Sequence, residues 1–204
     1  VTNSTVFLVD DEAEVRMTLS RALRKRGFTV EAFDSANSFL NQYNPDQPGC
    51  LVLDYGMPEI DGLELQSLMN KAKISLPIVF ISGHGGVPES VQAMKAGAVD
   101  FLEKPFRQYE LVACIQTAFE RDIEMRQKAS EQSDAQARFE RLTSREKEVA
   151  IFMMKHPSNT ASKEIGRALD ISPRTVDHHR ARILEKLEIG SVIELVELSH
   201  RVMP

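Results

Sequence analysis

Short, β-branched apolar runs recur through the first half of the chain, at Val6 to Val9, Leu51 to Leu53, Ile78 to Ile81 and Val99 to Leu102, with a shorter one around Phe28 to Phe33. Runs of this length, closed off by polar positions, fit strands buried on both faces. The intervals carry helical spacing. Val15, Leu19, Ala22 and Leu23 fall three and four apart, as do Ser90, Ala93, Met94 and Gly97, the last a natural helix terminator. The alternation predicts five strand-helix units. Right-handed crossovers turn that order into a doubly wound α/β fold, a parallel five-stranded sheet with helices on both faces.

Between Pro105 and Pro157 the chain has neither proline nor glycine and is rich in Glu, Gln, Arg, Ala and Lys, which predicts helix. Leu111, Ile115, Ala118 and Phe119 make its first turns amphipathic, but from Asp122 to Gln136 apolar residues thin out. That stretch reads as a long helical linker extending from the preceding helix, with a disordered tether as the alternative. From Leu142 onward only short helices are predicted: Thr143 or Ser144 can cap one, Ser162 another, Ser172 followed by Pro173 a third and Ser191 the last. Four short helices cannot form a doubly wound sheet. The expected organisation is therefore an α/β domain over residues 4–121, a linker over 122–141 and a small all-α domain over 142–204.

Length and composition agree with two small globular domains: 204 residues, 42% hydrophobic and 27% charged. The apolar runs are too short to span a bilayer and no basic-then-apolar signal segment opens the chain, so a cytoplasmic location without membrane contact is expected. Cys50 and Cys114 lack metal-ligand spacing and are expected to be reduced packing residues. The net charge of −5 belongs to residues 1–121, with 11 basic and 16 acidic side chains, whereas residues 143–204 carry 10 and 9 and four of the five histidines. That excess of a single positive charge is weak evidence for nucleic acid by itself.

In an open parallel sheet, ligands bind beyond the carboxyl ends of the strands. Asp10 and Asp11 follow the first run, Asp54 the third, Ser82 the fourth and Lys104 the fifth. Three close carboxylates repel one another unless a cation neutralises them, and Mg²⁺ (or Mn²⁺) prefers such oxygen ligands. The set suits phosphoryl transfer to a carboxylate, with Asp54 as nucleophile, Lys104 offsetting charge and Ser82 donating a hydrogen bond. Any one of these residues could be an idle strand-end polar group; five together argue against that. A phosphatase working through an aspartyl-phosphate usually needs a second Asp two residues after the nucleophile, where this chain has Gly56.

With Asp10-Asp11, Asp54-Tyr55-Gly56-Met57-Pro58, Asp61-Gly62, Ser82-Gly83 and Lys104-Pro105 in this order, residues 4 to about 121 resemble the receiver domain of two-component response regulators. The resemblance implies the CheY-type, flavodoxin-like fold, and phosphorylation of Asp54 by a sensor histidine kinase without further enzymatic activity. It implies Mg²⁺ held by Asp11, Asp54 and the Gly56 carbonyl, with Asp10 acting through water, and a cis Lys104-Pro105 peptide. Phe101 takes the place of the switch aromatic that turns inward when Ser82 moves. Gly56 and His84 flank the line of water attack and are expected to tune dephosphorylation.

In the all-α part, Ser162 to Leu169, a turn at Asp170-Ile171-Ser172 and a helix from Pro173 to Leu187 have helix-turn-helix dimensions. Val176, Ile183, Leu184 and Leu187 are expected to pack inward. Arg174, Asp177, His178 and Ala181 form an outward stripe flanked by Thr175, His179, Arg180, Arg182 and Lys186. The strings Leu142-Thr143-Ser144-Arg145-Glu146-Lys147-Glu148-Val149 and Ile171-Ser172-Pro173-Arg174-Thr175-Val176, with Lys163-Glu164-Ile165 and His179-Arg180, are similar to LuxR-type DNA-binding domains. The whole is thus identified as a member of the NarL/FixJ family, FixJ-like. That implies homodimerisation on phosphorylation, binding to double-stranded DNA and RNA polymerase as a partner. A helical module that titrates a protein partner is the alternative. Asp177 stands where many relatives carry lysine: it either accepts from a cytosine amino group or pairs with Arg174 or Arg180. The loop from His156 to Ala161 looks longer than usual.

Overall fold

The computed structural model describes residues 4–83 and 86–202, so His84 lies outside the described residues. Two compact units meet between Arg126 and Gln127. The first holds strands β1 (Thr5–Val9), β2 (Thr29–Phe33), β3 (Gly49–Asp54), β4 (Ile78–Ser82) and β5 (Asp100–Glu103), all parallel, in the order β2-β1-β3-β4-β5. Helices α1 (Ala13–Arg24), α2 (Ala36–Gln42), α3 (Gly62–Lys71) and α4 (Val87–Lys95) alternate with the strands, and α5 (Gln108–Glu140) follows them.

The two-residue side-chain period sorts each strand onto two cores. Phe7, Val9, Leu51, Leu53 and Phe80 pack with Phe39 of α2, Leu65 and Met69 of α3 and Ala93 of α4. Val6, Leu8, Cys50, Val52, Val79 and Ile81 face the other way, onto Leu23 of α1 and Leu111, Ile115 and Ala118 of α5. A sheet covered on both sides needs continuous apolar strands, which is why these runs do not alternate with polar residues. Register aligns the strand ends: Val9 pairs with Leu53, Asp54 with Ile81 and Ser82 with Glu103. Asp10, Asp54, Ser82 and Lys104 therefore emerge along one rim.

The opposite rim carries a contact that the sequence does not announce. Asp122 of α5 is fully buried, and its Oδ2 accepts from the Gly49 amide at 2.9 Å. Arg126 Nε donates to both Asp122 oxygens at 2.9 and 3.0 Å, while its Nη2 donates to the carbonyls of Pro45 and Gln47 at 3.0 and 2.8 Å. The approach is close enough that a Cβ on Gly49 would meet the Thr5 carbonyl oxygen at 2.0 Å.

The second unit comprises the end of α5 with α6 (Ser144–Lys155), α7 (Ser162–Leu169), α8 (Pro173–Leu187) and α9 (Val192–Val202). Its core joins Ala135 and Phe139 of α5 to Leu142, Val149, Met153, Ile165, Val176, Ile183, Leu187 and Leu195. The stretch expected to be a helical linker over 122–141 is helical through Glu140, as the continuation of the first turns of α5. Its start is fastened to the first unit and its end completes the core of the second, because two buried residues four apart give a helix enough apolar face to pack. Thr143 caps α6 by accepting from the Glu146 amide, which donates to its Oγ1 at 3.4 Å, and Glu146 returns the favour by accepting from the Thr143 amide at 2.7 Å. Ser172 caps α8 with Pro173 at its first position. Ser162 does not cap α7: Ala161 takes that place, and the Ser162 hydroxyl turns to Asp177 instead.

Candidate functional site

Along the upper rim, the Lys104 ammonium lies 2.7 Å from Asp54 Oδ1 and 3.0 Å from Asp10 Oδ2. The remaining oxygens are also held. The Gly56 amide donates to Asp54 Oδ2 at 2.8 Å, and the Glu12 amide to Asp10 Oδ1 at 2.9 Å. Arg16 of α1, which sequence reasoning missed, donates to the Asp10 carbonyl at 2.7 Å. Burial pushes the Asp10 carboxyl above its ordinary pKa, opposed by Lys104 and the Glu12 amide and reinforced by the Asp54 charge. Burial works against the Lys104 ammonium, yet its bonds to Asp54 and Asp10 outweigh that and raise its pKa.

Asp54 and Ser82 are buried at the ends of β3 and β4, and the Lys104 amide donates to the Ser82 carbonyl at 2.7 Å. The Lys104-Pro105 peptide is cis. Phe101 is partly buried, stacked on Phe80 at 5.9 Å and edge-on to Tyr55 at 6.2 Å. Asp11 is exposed, and among the described residues no cluster of three or more His, Cys, Asp and Glu side chains is placed to hold a metal ion. Lys104 is instead the counter-charge that Asp10 and Asp54 share. The chemistry still suits a hard divalent cation: the donors are all oxygen, and two buried carboxylates share a single ammonium, with the Asp11 carboxylate next in sequence.

On the second unit, α7, the turn and α8 follow the expected bounds, and Asp170 adopts a left-handed backbone with φ of 53°. Gly166 sits against that turn, where a Cβ would meet the Ile171 carbonyl oxygen at 2.6 Å. Val176, Ile183 and Leu187 are buried and Leu184 partly so. Arg174, Asp177, His178, Ala181 and Arg182 are exposed, while Thr175 and His179 are half-buried beside them.

Two of the basic groups expected to face DNA have partners within the domain. The Lys186 ammonium lies 2.7 Å from the buried Glu146 carboxylate of α6, and Arg180 Nη2 donates to the Thr160 carbonyl. The reason is proximity in the packed helices, which helical spacing along one element cannot report. Burial works against the Glu146 carboxylate, but Lys186 and the Thr143 amide outweigh it and lower its pKa to about 2.

Residues 6–116 match the family described as response regulator receiver domain, and residues 140–199 match bacterial regulatory proteins of the luxR family. The response regulator protein TodT of Pseudomonas putida is 40% identical over 199 residues, covering 98% of this chain and 86% of that protein. The transcriptional regulatory protein FixJ of Rhizobium meliloti is also 40% identical, with 98% and 96% covered. Among solved structures, the response regulator StyR superposes with a TM-score of 0.82 at 40% identity, covering 98% of this chain and all of that one.

Proposed function

Given that this chain belongs to the NarL/FixJ-type response regulators and is a transcriptional regulator with a receiver and a LuxR-type DNA-binding domain, we propose that Asp54 is its phosphoacceptor and that phosphorylation by a sensor histidine kinase controls DNA binding through α8. The observation that carries the reading is the Lys104 ammonium held between Asp54 and Asp10. It lowers the cost of bringing a phosphoryl group, itself anionic, up to a carboxylate.

The Gly56 amide and Lys104 fix the plane of the Asp54 carboxylate, so its oxygen is presented to phosphorus without a search of rotamers. In the transfer, an Asp54 oxygen forms the O–P bond, the P–N bond to the donor imidazole breaks, and the imidazole takes up a proton. Asp10, Asp11, Asp54 and the Gly56 carbonyl would hold Mg²⁺ or Mn²⁺, which supplies positive charge to the phosphoryl oxygens. Ser82 accepts the role of hydrogen-bond donor to the transferred group, and Phe101 follows it as the switch. The phosphorylated chain pairs with a second copy. Arg174, Thr175, Asp177, His178, His179, Ala181 and Arg182 then face double-stranded DNA near RNA polymerase.

Intact-mass measurement after incubation with acetyl phosphate and Mg²⁺ tests the acceptor. Wild type gains one phosphoryl mass and Asp54→Asn gains none; a labelled Asp54→Asn protein would falsify the assignment. Genomic footprinting with and without the phosphoryl donor tests the output half.

A further inference from the structure

The exposed surface of α8 carries two anions: Glu185, paired with Arg182 at 3.1 Å, and Asp177, whose contacts reach beyond the helix. Its Oδ1 accepts a hydrogen bond from the Ser162 hydroxyl at the start of α7 and lies 4.0 Å from Arg180 Nη1. Arg180 in turn donates to the Thr160 carbonyl in the α6–α7 connection, and its side chain is only 25% exposed. A cation one turn along a DNA-facing helix is therefore folded back toward its own domain.

We propose that Ser162 and Asp177 form a restraint that keeps Arg180 off the DNA phosphates, so that Asp177 raises sequence specificity by suppressing sequence-independent binding. This inference rests on α8 being the DNA-reading helix. Arg180 has two possible partners at a DNA surface, the neutral Thr160 carbonyl and a phosphate oxygen. A phosphate offers the guanidinium an opposite charge and two parallel acceptors, where the Thr160 carbonyl offers one neutral oxygen, so Thr160 alone would not hold it. Asp177 tips the balance. It attracts Arg180 from the inner side and repels any phosphate that approaches it, while the Ser162 hydroxyl fixes the carboxylate where it does both. In this arrangement Asp177 acts through Arg180 as a positioning residue, and base reading is assigned to Arg174, His178 and Ala181.

The test is a salt titration of the full-length protein, phosphorylated with acetyl phosphate and Mg²⁺, on its selected site and on a random-sequence duplex. Asp177→Ala should bind the random duplex about fivefold more tightly at low salt and steepen the log affinity against log salt slope by about 0.9, the value of one added phosphate contact. Selection from random DNA should return the wild-type site. Ser162→Ala should move in the same direction by less. Arg180→Gln alone should leave the slope as in wild type, and Arg180→Gln with Asp177→Ala should abolish the steepening. Retention of the steeper slope in the double variant would show simple loss of repulsion and overturn the restraint. No change in slope in Asp177→Ala, or a changed base preference, would overturn it as well. Failure of the wild type to select any sequence would instead overturn the reading of α8. Circular dichroism of each variant separates these outcomes from unfolding.

Discussion

One ammonium serves two carboxylates in the acidic crevice, and the consequences can be followed residue by residue. Lys104 and a divalent cation compete for the same oxygens of Asp10 and Asp54, so removing the ammonium does not deprive the metal of a ligand. Lys104→Ala should therefore bind Mg²⁺ at least as tightly as wild type, read from tyrosine fluorescence, yet fail to dimerise when phosphorylated. Tight Mg²⁺ binding with intact dimerisation would remove Lys104 from the switch. Gly56 offers a second handle: a Cβ there meets only Asp54 Oδ2, at an ordinary 3.7 Å. A side chain at this position fits, and it covers the approach of water to the acyl phosphate. Gly56→Arg should lengthen the half-life of the phosphorylated protein severalfold, measured by loss of the phosphoryl mass with time.

Among the elements, the helices are held by groups buried at their crossings. Asp122 ties α5 to the start of β3, and its removal leaves the Gly49 amide without an acceptor and Arg126 without its carboxylate. Asp122→Ala should cost the first unit about 3 kcal/mol. All three tyrosines, 43, 55 and 109, lie in that unit and the chain has no tryptophan, so tyrosine fluorescence in urea reports this loss selectively. In the second unit, Glu146 links α6 to α8 through Lys186. Its folded pKa is depressed, so its contribution is complete above the ordinary carboxylate value of 4.5 and fades as pH falls toward about 2. Glu146→Gln should destabilise that unit at neutral pH by about 2 kcal/mol and flatten its acid transition between those limits, followed by circular dichroism. Along α5, buried residues run from Leu111 to Asp122 and resume at Ala135 and Phe139, with none buried between Asp122 and Ala135. Amides of residues 128–133 should exchange faster than those flanking them, because an isolated helical turn gains little without packing. Uniform protection along α5 would count against this.

At the scale of the molecule, the net negative charge belongs to residues 1–121, while residues 143–204 are nearly balanced, with one excess positive charge. On the proposed function, phosphorylation of Asp54 is expected to act on DNA binding through conformation or association. Sedimentation of the wild type should show a dimer only with acetyl phosphate and Mg²⁺. The Asp54→Asn protein should stay monomeric under the same conditions, and a donor-independent dimer would locate control elsewhere. None of the described helices is long and apolar enough to cross a membrane.

The sequence by itself determined the element order, the parallel sheet and the set of polar residues along its upper rim. These follow from local periodicity and from the rule that parallel strands end flush, so that residues one position beyond the apolar runs converge. The bounds of α7 and α8 were equally legible, since a Ser-Pro start and a short turn are local signals. Only the tertiary structure decided which charges face inward. Lys186 and Arg180 share the outer surface of α8 by spacing, but Glu146 and Thr160, 40 and 20 residues away in sequence, claim them. The end of α5 likewise reads as solvated until Ala135 and Phe139 find a core built from helices that come later in the chain. Periodicity records the face a residue occupies on its own element; the partner it meets there depends on packing between elements distant in sequence, and that carries no local signature.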